Sequence, residues 1–241
     1  RIVVSPAEHH AVLDSVEWLA KHDGADVTWL PVDPTGRITP GALQAALGSG
    51  ADVALASVMW ANNEIGTVSD LAALAEVAHD VGVPLHSDAV QAVGHVPVDF
   101  AASGLDLLSF TAHKLGGPYG VGALLARRSV DLTAVQHGGG QERDVRSGTL
   151  NVAAVAGFAA AVEVAVRGLD RYQTDVRALR AALHELTECR RLLDAAMTEA
   201  RKPELPLCPK VQPGMMEAET VRDMARRGLA ARLDAAGMEQ A

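Results

Sequence analysis

Apolar β-branched runs alternate along the chain with stretches whose apolar residues recur at helical spacing. Ile2–Val4 predicts a strand, and His10–His22 a helix carrying Ala11, Val12, Val16 and Leu19 at that spacing. Residues 27–30 predict the next strand, and Asp33-Pro34-Thr35-Gly36 a turn. Thr39 and Pro40 open a helix over 41–47, threonine as N-cap and proline at the first helical position. Residues 53–59 read as a strand buried on both faces. Residues 69–81 read as a helix capped by Ser69, and 83–86 as a strand ending at Ser87-Asp88. Strands at 107–110 and 123–126 complete the set. This alternation predicts an α/β fold with a mostly parallel sheet flanked by helices. In such sheets ligands bind beyond the carboxyl ends of the strands.

From Val152 the pattern changes. Residues 152–166 predict one alanine- and valine-rich helix, 171–191 a more charged one, and 217–236 a third, amphipathic one. A proline-rich linker spans 202–209. The expected organisation is a large domain over 1–167 and a helical C-terminal region over 168–241, a partial or divergent small domain.

Of the 241 residues, 49% are apolar but only 3% aromatic, so the core must be built from Ala, Val and Leu. A net charge of −9 argues against direct nucleic-acid binding and against anionic membrane as a partner. No apolar run approaches the ~18 residues of a bilayer span. Cys189 and Cys208 suit a reducing, cytoplasmic compartment and lack the spacing of a metal site. Cys189 reads as structural and Cys208 as a linker cysteine. Arg1 precedes what already reads as a strand, so the chain is expected to begin inside a domain.

Four polar clusters fall where strands should end: Glu8-His9-His10, Asn62-Asn63-Glu64, His86 to Gln91, and Thr111-Ala112-His113-Lys114. A parallel sheet brings all four to one edge. Lys114 is expected at the end of a buried strand, where burial disfavours its charged form and makes it a candidate imine-forming nucleophile. With Asp88 at the end of another strand it forms the pair that pyridoxal phosphate chemistry needs. The lysine holds the aldehyde, and the carboxylate holds the proton on the pyridine nitrogen. Asn63 and Gln91 are candidates for the ring's phenolic oxygen, and His9 for stacking on the ring.

Each residue also has a plainer reading. Asp88 alone reads as a helix cap, Asn62-Asn63 as a turn pair, and Lys114 as a solvated lysine. His79 and His86 read as a helix-surface residue and a packed strand end. The shared edge favours the joint reading. A fifth cluster, residues 137–149, joins three consecutive glycines to hydroxyls, amides and two arginines, which suits an anion.

These segments resemble, in order, successive motifs of the cysteine desulfurases: Glu8 to Asp14, NNEIG (62–66), HSDAVQAVG (86–94), TAHKLGGPYGVGALL (111–125) and HGGGQERDVRSGT (137–149). That family comprises pyridoxal phosphate enzymes of the class V aminotransferase group, and the resemblance is to its housekeeping iron–sulfur branch. It implies a seven-stranded-type sheet of the fold-type I transferases. Lys114 would form the internal aldimine, Asp88 would pair with the pyridinium, and His9 would stack and assist proton transfer. Asn63 and Gln91 would contact the ring oxygen, and Thr111 and His113 the phosphate. Thr149 would reach the phosphate of the partner subunit's cofactor in a homodimer. The implied reaction turns L-cysteine into L-alanine. The sulfur goes to an enzyme cysteine as a persulfide, then to an iron–sulfur scaffold protein or a tRNA-thiolating partner.

The resemblance also implies a threonine-bearing phosphate loop upstream of Arg1 and a Ser-Gly-Ser-Ala-Cys-like nucleophile loop downstream, and neither string occurs. Two other functions compete. One is another lyase or aminotransferase of the group, such as a selenocysteine lyase. The other is an inactive homologue that binds a partner or dimerises.

Overall fold

In the computed structural model, residues 1–200 are described. The elements in chain order are β1 (Ile2–Val4), α1 (His10–His22), β2 (Val27–Trp29), α2 (Pro40–Leu47), β3 (Leu55–Ser57) and α3 (Leu71–Asp80). There follow β4 (Leu85–Asp88), β5 (Leu107–Thr111), a 3-10 turn (His113–Leu115), β6 (Gly122–Ala126), α4 (Val152–Arg167) and α5 (Leu169–Ala200). The linker over 202–209, the helix expected over 217–236 and Cys208 lie outside the described residues. The chain groups into two compact units, Arg1–Leu183 and His184–Ala241.

Among the described residues the sheet has six strands, in the order β2-β1-β3-β4-β5-β6, rather than the seven implied by resemblance. β1 to β5 are parallel, and β6 pairs antiparallel with β5. From β1 the chain steps outward to β2, then returns past β1 to β3, β4 and β5. Parallel crossovers are right-handed, so this reversal puts α1 on one face of the sheet and α2 and α3 on the other. The packing agrees. Val3, Ala56, Leu85 and Leu108 form a single cluster with Leu43 and Leu47 of α2 and Leu71 and Leu74 of α3. Val16, the buried residue of α1, is not part of it. Aliphatic side chains fill this core, as the aromatic-poor composition requires.

Local rules account for most element ends. Thr39 caps α2 by accepting from the Ala42 N–H at 3.2 Å, with Pro40 in the first turn. α3 begins later than expected. Asp70 is its cap, accepting from Ala73 N–H at 3.3 Å, while Ser69 Oγ donates to the Met59 carbonyl at 2.8 Å. The strand expected over 53–59 is regular only over Leu55–Ser57; beyond it Val58 and Met59 are buried, and the Val58 and Trp60 N–H groups still donate to the His86 and Asp88 carbonyls of β4 at 3.1 and 3.0 Å. The helix expected over 171–191 runs Leu169–Ala200.

α4 packs on the sheet near β5 through Phe158, whose ring lies 5.1 Å from that of Phe110. Gly117 lets the turn after β5 meet this helix, since a Cβ there would lie 3.0 Å from Ala161 Cβ and from the Ala112 carbonyl. In the second unit the described residues form an exposed helical stretch with an ion pair, Arg191 to Glu188 at 2.6 Å. Cys189, expected to be structural, is exposed there. No single helix among the described residues is long and apolar enough to cross a membrane.

Candidate active site

The strand order reverses between β1 and β3, and at such a switch point the loops diverge and open a crevice at the carboxyl edge. The loop after β1 carries Glu8 and His9, and the loop after β3 carries Asn62 and Asn63. Asp88 ends β4, and Thr111 ends β5 just before His113 and Lys114. Four neighbouring parallel strands thus deliver seven of the eight candidate residues to one edge. Thr149 is the exception: it is exposed in the loop before α4 and follows no strand directly.

Asp88 is 5% exposed. Its Oδ1 accepts from the Val90 N–H at 2.8 Å, closing a turn rather than capping a helix. Burial raises its pKa above the usual carboxylate range; the Val90 N–H and the charge of His9 pull the other way. Oδ2 makes no hydrogen bond among the described residues, which leaves it for a ligand donor.

Lys114 departs from expectation. It does not end the buried strand but sits in the 3-10 turn beyond it, with an exposed side chain. Gly116 ends that turn in the left-handed conformation (φ 75°), and the turn packs against α4. The amine is therefore presented at the edge by a braced turn. His113 is exposed beside it, stacked on Tyr119 at 6.0 Å.

His9 is the N-cap of α1, its Nδ1 accepting from the Ala11 N–H at 3.1 Å. In the neutral ring that bond leaves the proton on Nε2. Asn62 and Asn63 divide their work. Asn62 builds the turn, its Oδ1 accepting from the N–H groups of Glu64 and Ile65 and its Nδ2 donating to the Ala7 carbonyl at 2.7 Å. Asn63 is exposed and bonds only its neighbour Glu64. Gln91 is half-buried and has no side-chain hydrogen bond among the described residues.

Pyridoxal phosphate fits this donor set. Thr111 Oγ1 is buried without a partner among the described residues, a hydroxyl placed where a phosphate would be held. Asp88 offers a buried acid for a ring N–H, Lys114 an accessible amine, Gln91 an amide with no side-chain bond among the described residues, and Asn63 an exposed amide whose Nδ2 donates to Glu64.

Two features are not legible from the sequence alone. Glu8 stands in the polar Glu-His-His string yet is 6% exposed. His86 bridges two serines across the sheet, Nδ1 to Ser57 Oγ at 2.8 Å and Nε2 to Ser109 Oγ at 2.7 Å. Ser57 pairs with His86, and Ser109 with Asp88, in the strand register, so the pattern was available once strand pairing was known. The 137–149 segment folds back on itself, with the Gly148 N–H donating to Gln141 Oε1 and the Gly140 N–H to Ser147 Oγ.

The sequence family Aminotransferase class-V matches residues 1–225. The chain is 56% identical over 185 residues to the IscS-like cysteine desulfurase of Mycobacterium tuberculosis, an alignment covering 77% of this chain and 47% of that protein. A solved NifS-like protein superposes with a TM-score of 0.73 at 36% identity, covering 77% of this chain and 51% of that one. A structure described as SspA in complex with cysteine superposes with a TM-score of 0.63 at 33% identity, covering 67% and 47%. The chain spans about half the length of the curated relatives it matches.

Proposed function

Because the chain belongs to the aminotransferase class V family, we propose that it is the cofactor-holding part of a pyridoxal phosphate-dependent cysteine desulfurase. One observation carries this reading: buried Asp88 ends β4 and the accessible Lys114 follows the end of neighbouring β5. Two similarities support the substrate. The M. tuberculosis relative is named a cysteine desulfurase, and the SspA neighbour is described with cysteine.

When bound, the cofactor supplies an electron sink for the substrate α-carbon. Asp88 holds the proton on the ring nitrogen, and its burial strengthens that charge pairing. Lys114 Nζ would hold the cofactor's aldehyde, and its accessible amine could carry a proton to or from the substrate. His9 stacks on the ring and presents Nε2–H for proton transfer. Asn63 and Gln91 orient the ring oxygen, and Thr111 and His113 hold the phosphate. Thr149, exposed and uncommitted, reaches the phosphate in a second copy of the chain, which makes the enzyme a homodimer. L-cysteine yields L-alanine, and its sulfur passes as a persulfide on an enzyme cysteine to an iron–sulfur scaffold or another acceptor. The reaction runs in the cytoplasm, where thiols stay reduced.

The test is reconstitution. Pyridoxal phosphate added to the purified chain should produce a visible imine band that Lys114→Ala abolishes and Asp88→Ala weakens. L-cysteine, supplied with an excess of a small-molecule thiol that accepts the sulfur and is oxidised to its disulfide as sulfide is released, should then give alanine and sulfide in equal amount. A chain that never develops the band overturns the cofactor reading. A band without alanine overturns the desulfurase reading and favours another lyase of the group.

A further inference from the structure

We propose that Glu8 serves this site as a neutral carboxylic acid, a positioning residue that ties the His9 turn to the β3 loop and leaves Asp88 as the one buried negative charge at the edge. The role in cofactor binding rests on the reading above; the protonation state does not.

Glu8 lies on the turn between β1 and α1, directly before His9, and is 6% exposed. Its Oε1 accepts the N–H of Met59, just beyond β3. Its Oε2 is buried and has no partner among the described residues. An ionised oxygen so placed would have neither water nor a donor to compensate it, whereas a hydroxyl carries no charge to desolvate. Asp88 adds a second buried carboxyl nearby. Burial, opposed by the Met59 N–H and reinforced by the charge of Asp88, pushes Glu8 up to about 8. Asp88 is better compensated, by the Val90 N–H and by His9. One proton for two carboxyls therefore settles on Glu8.

The other titratable groups on the elements around Glu8 are His9, on the N-cap of α1, and His86, two residues before Asp88 on β4, which is held neutral by burial. The β3 side presents Met59, Trp60 and Asn62 near Glu8, with Glu64 exposed further along its loop, and Lys114 and His113 are exposed on the turn after β5. Glu8 does not act alone in fastening the two loops. Asn62 Nδ2 donates to the Ala7 carbonyl at 2.7 Å, and the Ser5 N–H to the Ser57 carbonyl at 3.1 Å. The Glu8 bond is the one adjacent to His9, so it fixes where that ring stands.

The experiment compares the wild-type chain with Glu8→Gln and Glu8→Ala. Gln offers Met59 the same carbonyl and replaces the hydroxyl with a neutral amide. Two readouts are taken: thermal stability of the cofactor-free chain from pH 6 to 9, and pyridoxal phosphate affinity at pH 7. Glu8→Gln should bind the cofactor within about twofold of wild type, and Glu8→Ala at least about tenfold more weakly, the cost of one buried hydrogen bond and its cavity. An acid whose folded pKa lies above its unfolded value stabilises fully below the unfolded value and loses that contribution as pH rises through the folded one. Wild-type stability should therefore fall relative to Glu8→Gln as pH climbs from 6 towards 8 and level off above it. Equal weakening by Gln and Ala would show that the ionised form is used and overturn the proposal. A wild-type-minus-Gln difference that is flat with pH would overturn it as well. If Glu8→Ala does not fold, the Gln comparison decides alone. If the wild-type chain takes up no cofactor, the reading of the previous section fails, and the pH comparison still judges the protonation of Glu8.

Discussion

Ser57 and His86 meet across neighbouring strands, Oγ to Nδ1 at 2.8 Å, and the far nitrogen of the same ring lies 2.7 Å from Ser109 Oγ. A hydroxyl on each side satisfies a neutral imidazole, since one can donate and the other accept. Burial pushes the His86 pKa down to about 4. In the unfolded chain a histidine titrates near pH 6.5. Between those values the unfolded state binds a proton that the folded state refuses, so stability rises with pH and is lost as pH falls from about 6.5 to 4. Partial exposure of the ring tempers the effect, and on the order of 1–3 kcal/mol should go over that window. Urea midpoints at pH 7 and pH 4.5 check this. His86→Gln should lower the midpoint at pH 7 yet show a smaller loss on acidification. The comparison with wild type cancels the contribution of Glu8, whose sign is opposite.

Thr111 offers a cleaner separation of folding from binding. Its hydroxyl is buried and bonded to nothing in the described chain. Thr111→Val keeps the β-branched shape and removes an orphan polar group, so the cofactor-free chain should be as stable as wild type or slightly more so. Pyridoxal phosphate affinity should drop roughly tenfold or more, the worth of a hydrogen bond to a charged group. A melting curve and a cofactor titration measure the two effects independently. Lost stability with unchanged affinity would remove Thr111 from the phosphate site.

Much of this site was legible because apolar runs end abruptly in polar clusters, and parallel strands carry such ends to one edge. Thr39-Pro40 also marked its helix start through purely local chemistry. What failed depended on contacts across the chain. Ser69 and Asp70 are both capping types in adjacent positions, and the choice between them was made by the Met59 carbonyl, which takes the Ser69 hydroxyl. The run over 53–59 is apolar apart from Ser57, and bonds to β4 continue through Trp60 although the regular strand ends at Ser57, so composition does not show where the strand stops. Lys114 read as buried because it follows β5 by three residues; the turn that exposes it requires Gly116 and the approach of α4. Glu8 sits in a polar-looking Glu-His-His string, and its burial depends on the returning strand β3.

Asp106 anchors the opposite end of the sheet. It is 8% exposed, and its Oδ2 accepts from the Leu85 N–H and faces His79 Nε2, both at 2.9 Å. Asp106→Ala strands a buried backbone donor at the start of β4 and should cost about 1–3 kcal/mol. His79→Ala should cost less, because the Leu85 N–H keeps its acceptor and water can reach the vacated side. Denaturant unfolding of both variants tests that order. Equal losses would assign the stability to the His79 contact instead.

Glu142, Arg143 and Asp144 have φ of 49°, 57° and 64°, three consecutive left-handed residues without a glycine. That conformation costs an L-residue about 1–2 kcal/mol, less for Asp than for a long side chain. The turn is closed by two backbone bonds, Asp144 N–H to the Gly140 carbonyl at 3.2 Å and Val145 N–H to that of Glu142 at 3.1 Å. Neither needs a side chain, so a glycine keeps both while removing the Cβ clash. Glycine also loosens the unfolded chain, which offsets part of the gain. Asp144→Gly should raise stability by about 0.5 kcal/mol and Arg143→Gly by about 1 kcal/mol, read as an increase in Tm. The larger gain at Arg143 is the informative part, because arginine lacks the short polar side chain that eases aspartate into this region. Lower Tm values for both would mean that the two side chains hold the loop more strongly than their backbones strain it.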